Sequence, residues 1–151
     1  MSSNGMGTRD GVNATGVLEL WIEDVEGALL HHILDRNLVV DSGLAMLSGG
    51  LADLVTDVAV GTNGAASAAG DVAPLTDQFA KGFTSVEHPI GNATKFNFEI
   101  GLGECNGMVI REFGLLRVAD EAVTLCARKG EKNIAKTSDF SIRGEWTITL
   151  Q

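Results

Sequence analysis

Residues 140–151 read FSIRGEWTITLQ, and their two-residue alternation constrains this chain more than any other feature. Phe140, Ile142, Trp146, Ile148 and Leu150 fall on one side of an extended backbone. Ser141, Arg143, Glu145, Thr147, Thr149 and Gln151 fall on the other. The same period returns in TKFNFEIGL, where Thr94, Phe96, Phe98, Ile100 and Leu102 share a face, and in VLELWIE, where Leu18, Leu20 and Ile22 oppose Glu19 and Glu23. Strands with one apolar and one wet face must close over a common core. The pattern therefore predicts a mainly β chain, an antiparallel β-sandwich or flattened barrel.

One short helix is expected in the N-terminal half, at about residues 42–54. Asp41 or Ser42 supplies an N-cap, and Leu44, Leu47, Leu51 and Leu54 recur at steps of three and four. Gly49 and Gly50 oppose it, each by about 1 kcal/mol relative to alanine. A length of 151 residues suits one domain. Residues 1–14 are glycine-rich, polar and without periodicity, and read as a flexible arm ahead of a single domain over 15–151. TNGAASAAGDVAPLTD, rich in small residues and holding Pro74, reads as an exposed loop.

Charge narrows the partners. A formal net charge of −9 and a pI near 4.6 disfavour nucleic acid and anionic membrane surfaces. No apolar run approaches the roughly 20 residues of a membrane span, and MSSNGMGTRDG lacks the apolar stretch of a secretion signal. The expectation is a soluble protein made in the cytoplasm.

Residues with chemical potential lack the company that chemistry requires. His31 and His32 are neighbours and His88 stands apart, so no spacing supplies a third metal ligand. GLGECNG has its third glycine at the wrong offset for a dinucleotide fingerprint, and GTNGAASAAG lacks the Gly-Lys-Ser/Thr of a phosphate loop. Cys105 and Cys126 have neither disulfide-framework nor zinc spacing and read as small buried or half-buried side chains, with a bridge as the alternative. No cofactor, metal or catalytic set is expected. Two other classes stay open: a ligand- or carbohydrate-binding β-sandwich using Trp21 or Trp146 as a platform, and a hydrolase whose Ser, His and Asp meet only on folding.

IREFGLLRVADEAVTLCAR, residues 110–128, reads as a hairpin with an acidic turn. Arg111, Phe113, Leu115 and Arg117 alternate with Ile110, Glu112, Gly114 and Leu116, so Arg111 and Glu112 lie on opposite faces. Phe113 is expected in the core. One of the two charges must lie toward the packed side or at an interface, satisfied by hydrogen bonds or paired across a subunit contact; Arg111, Glu112 and Arg117 are the candidate interface residues.

The order of several segments resembles the attachment regions of tail-fibre and collar-type structural proteins of tailed bacteriophages. NLVVDSGLAML (37–47) resembles their asparagine-containing strand running into a short helix. VAVGT (58–62), the small-residue loop and PLTD (74–77) resemble the strand, glycine turn and loop that follow. IREFGLL (110–116) resembles their Glu-Ile-Gly-Leu block, with Phe113 in place of isoleucine. The resemblance implies a non-enzymatic virion protein, a tail or neck collar or fibre-attachment adaptor subunit. It would be assembled in the host cytoplasm as a symmetric homo-oligomer, contacting other tail, neck or fibre proteins.

Overall fold

The computed structural model describes residues 6–9, 12–41, 43, 54–89 and 92–150 of the chain. Its strands follow the alternating stretches. β1 (Met6–Arg9) turns back on β2 (Val12–Asp24), which pairs with β3 (Leu29–Val39). β4 (Asp57–Gly61) and β5 (Phe79–Gly82) flank the small-residue loop, followed by β6 (Ser85–Glu87) and β7 (Ala93–Ile100). β8 (Val109–Ile110) leads into β9 (Glu112–Ala119) and β10 (Ala122–Lys129), and β11 (Ile134–Ala135) precedes β12 (Phe140–Leu150). The acidic turn between β9 and β10 is a two-residue hairpin, with Asp120 and Glu121 at φ 50° and 66°. Positive φ at both positions matches the twist of the flanking strands.

The main sheet is antiparallel, in the order β5-β4-β9-β10-β3-β2-β12-β7-β6 with β1 also on β2, while β8 and β11 form a small second sheet. It curls strongly, as a half-barrel. The inner face of β2, β12 and β7 thereby packs on that of β4, β9 and β10. Leu18, Leu20, Phe96, Phe98, Ile142 and Trp146 share one core with Val58, Val60, Phe113 and Leu115. The rings of Phe98 and Phe113 lie 6.4 Å apart across the fold. Two pairings, Ala127↔Val39 and Arg128↔Leu38, join the halves between β10 and β3.

The outer face of β4, β9 and β10 is buried as well. The loop between β4 and β5 folds over it, and Leu75 joins Val40, Ala59, Leu116 and Leu125 in a second apolar cluster. All of Glu112–Leu116 is therefore buried, on both faces of β9. The loop expected to be merely exposed acts as a third layer: its polar tip is wet, and its Leu75 is inside.

Trp146 is fully buried, as the alternation around it requires, and its Nε1 donates to Asn37 Oδ1 at 2.7 Å. A buried indole N–H needs such a partner, which explains a buried asparagine on β3. Part of the stretch read as an arm is strand, since Met6–Arg9 pairs with β2 from Val12 to Thr15. Residues 1–5 lie outside the described residues, as does the helix expected at about 42–54 apart from Gly43 and Leu54.

These packing relations predict two different costs. Phe113→Ala should lower stability by about 3–5 kcal/mol through an emptied core site. Trp146→Phe keeps most of the volume but leaves Asn37 Oδ1 without its donor, and should cost about 1–3 kcal/mol. Urea denaturation measures both, and an unchanged midpoint for Trp146→Phe would mean that the buried hydrogen bond contributes nothing.

Candidate functional site

Among the described residues charge is buried at two places, at Lys136 and at the pair Glu112 and Arg128, and only the second brings two buried opposite charges together. Glu112 and Arg128 are 1% and 3% exposed, and Arg128 Nε meets Glu112 Oε1 at 2.9 Å. The two sit on neighbouring strands, Gly114 being directly opposite Arg128 and Glu112 two residues further along the same face. Glu112 Oε2 accepts the backbone N–H of Asn63 at 2.9 Å and of Thr76 at 3.1 Å, from the two ends of the covering loop. Arg128 reaches the same loop through Asp71 Oδ2 at 3.0 Å and the carbonyl of Asn63 at 2.9 Å. Ser67 adds a hydroxyl bond to the carbonyl of Arg128 at 2.9 Å.

The backbone makes room for this contact. Gly61 stands opposite Glu112, and a Cβ there would lie 2.5 Å from Glu112 Oε2 and 2.7 Å from the carbonyl of Thr76. At Gly130 a Cβ would collide with the carbonyl of Ala65. Both glycines let the loop come down on the strands.

A polar pocket of about 250 Å³ opens beside the cluster, lined by Asn63, Asp71, Thr76, Glu112 and Arg128 among others. Its charged groups are turned toward one another. Both oxygens of Glu112 are taken, Arg128 is bonded through all three nitrogens, and among the described residues no buried side-chain polar atom lacks a partner. A general base or a ligand clamp must have a free valence to offer, and this one is committed to its own loop. The cluster is a strap.

Of the two expectations for the buried charge on this strand, the structure shows the one in which it is satisfied within the chain. Glu112 does lie opposite Arg111, but its partner is Arg128 of the same chain, so no subunit contact is needed to neutralise it. Sequence reasoning placed Arg128 at the end of a strand and missed it, because the pairing depends on the hairpin register. Arg111 is exposed, and its amide donates to the carbonyl of Gly61 at 2.9 Å. Arg117 lies toward the other end of β9, its Nη1 3.3 Å from the carbonyl of Leu54. The three candidate interface residues are not brought together.

The other candidates are also engaged. Trp21 lies on the outer sheet face between His32 and Arg143, its register partners on β3 and β12. His32 stacks on it at 5.4 Å and the Arg143 guanidinium lies 4.3 Å from its ring. With a neighbour on each side, the indole presents its edge, so it does not offer the open ring face on which a sugar stacks. His32 Nε2 also pairs with Glu19 Oε2 at 2.6 Å. Among the described residues no group of three His, Cys, Asp or Glu side chains could hold a metal ion.

The thiols are not activated. Burial pushes Cys126 up to about 12, and burial together with the nearby Glu104 carboxylate raises Cys105. A nucleophilic cysteine requires the opposite shift. Beside Cys105, the amide of Gly101 and the ammonium of Lys81 hold the Glu104 carboxyl below its ordinary range. Lys136 Nζ donates to Asn106 Oδ1 at 2.9 Å and to the carbonyl of Thr137 at 2.8 Å. GLGECNG is thus a turn at the end of β7, tied down by Lys81 and Lys136.

One surface does have groups to offer. β10 meets β3 only at Leu38 and Val39, and among the described residues no strand pairs with the outer edge of β3 from Leu29 to Asn37. Leu29, Leu30 and Leu34 on it are 57%, 57% and 62% exposed. Sequence reasoning missed this strand because LLHHIL has no clean alternation. Ile33 in this stretch packs on the core, while Leu29, Leu30 and Leu34 stand exposed.

The strap predicts a local effect. Glu112→Gln, which retains one carbonyl acceptor and removes the charge, should destabilise the protein and raise amide exchange most at Asn63 and Thr76. Exchange that rises evenly over the chain, or not at all, would show that Glu112 does not hold the loop.

No protein-family model, curated protein sequence or solved structure matches this chain.

Proposed function

We propose that this protein is a non-enzymatic assembly subunit, a tail or neck collar or fibre-attachment adaptor of a tailed bacteriophage that functions as a homo-oligomer among other virion proteins. The observation that carries the assembly part is the edge of β3, unpaired among the described residues, with its exposed leucines. An open strand edge carrying apolar side chains is a template for strand addition, and a chain that has to stay monomeric protects such an edge with charge, proline or a covering loop.

The phage part is supported by where the resembling segments lie. Asn37–Val40, Val58–Thr62, Pro74–Asp77 and Ile110–Leu116 are distant in sequence and adjacent in space. Val40, Ala59, Leu75 and Leu116 pack in one cluster, Thr62 Oγ1 bonds Asp77 Oδ2 at 3.1 Å, and the Thr76 amide bonds Glu112. The resembling segments therefore meet around the covering loop and the β10–β3 junction.

Light scattering of the purified protein over a wide concentration range tests the reading. A mass that is a small integer multiple of 15.8 kDa at micromolar concentration and falls on dilution is expected. A strict monomer at every concentration would overturn it.

A further inference from the structure

Resting on that assembly reading, we propose that β3 pairs antiparallel with β3 of a second copy of this chain, across a two-fold axis at His32. The occupant of this edge has to be a peptide strand. The amide of Val40 donates to the carbonyl of Cys126, which places β10 on that side of the strand. By strand alternation the N–H and C=O groups of Leu38, Arg36, Leu34 and His32 face the same side. Beyond Leu38 no strand among the described residues meets them. A row of main-chain donors and acceptors at strand spacing is matched by another extended backbone.

The side chains select a second copy. Leu30-His31-His32-Ile33-Leu34 is nearly palindromic in character, and a two-fold pairing centred on His32 sets residue i against residue 64 − i. His31 then lies beside Ile33 of the second copy, and Leu34 beside its Leu30, the residue at which β3 shifts register against β2. An isologous contact requires this self-complementarity, which a strand evolved for an unrelated partner has no reason to show. Leu34 opposes Glu19 and His32 opposes Trp21, so both belong to the outer sheet face. The paired leucines would cover apolar surface now more than half exposed.

Charge permits the approach. Two copies at −9 each repel, yet residues 28–34 contain no acid. Asp35, the next acid along the strand, is paired with Lys132, and the Glu19 carboxylate beneath His32 is already bonded to that ring. This edge is a place where two acidic chains can meet without juxtaposing free carboxylates.

Thiol bridging reads the register. In a Cys105→Ser background, where the remaining Cys126 is buried, His32→Cys should form a cross-linked dimer with a short thiol-bridging reagent. Opposing side chains in such a pair have Cβ atoms about 4.5–5.5 Å apart. Leu34→Cys alone should not be bridged, because its two copies would be offset by about 14 Å along the strands. Leu30→Cys mixed with Leu34→Cys should form the cross-linked heterodimer. Light scattering on the same samples separates the failures. An oligomer in which His32→Cys is not bridged, or in which Leu34→Cys is bridged equally well, overturns the β3 contact and leaves the assembly reading standing. A monomer at every concentration leaves the edge to a strand of some other protein and overturns both.

Discussion

Arg128 joins three parts of the molecule that would otherwise have little in common. It is paired with Leu38 at the narrow junction between β10 and β3, where the two halves of the sheet meet. Its guanidinium neutralises Glu112 on the neighbouring strand and reaches Asp71 and the carbonyl of Asn63 in the covering loop. A charge removed this far from water costs several kcal/mol unless its partners are complete, and here they are. The loop can therefore be built of small residues with little core-forming capacity and still have a defined position.

That constraint separates architecture from function. The cluster has the outward marks of an active site: buried opposite charges, a polar pocket beside them and backbone amides directed at a carboxylate. Its partners all lie within the chain: Glu112 is held by Arg128 and two loop amides, and Arg128 by Glu112, Asp71 and loop carbonyls. Groups without a strand partner among the described residues lie instead along β3, whose Leu29, Leu30 and Leu34 are exposed. The covering loop packs onto β4, β9 and β10, and the edge unpaired among the described residues runs along β3 away from the junction.

The parts legible in the sequence were those in which one face is buried and the other is wet. β2, β7 and β12 follow the alternation residue by residue, and the acidic turn between β9 and β10 was marked by its flanking apolar runs. Two places departed from that rule. β9 is buried on both faces, so Glu112 is inside although alternation sets it opposite the core residue Phe113. On β3 Leu29, Leu30 and Leu34 are exposed while Ile33 packs on the core, so its apolar residues follow no clean core-facing period. The partnership of Glu112 with Arg128 was hidden for a further reason, since it depends on hairpin register and on a loop some 50 residues away folding over both.

The central claim, that the buried pair is a strap holding the fold together, is tested most directly by a double-mutant cycle on Glu112→Met and Arg128→Met, followed by chemical denaturation. Each single change takes from the opposite charge its buried ionic partner, leaving Arg128 to Asp71 or Glu112 to the loop amides, and should cost about 3–5 kcal/mol. The double variant should be more stable than the sum of the two losses allows, by about 1–3 kcal/mol, because neither charge is then left alone. Strictly additive losses, or single variants as stable as the parent, would contradict the claim.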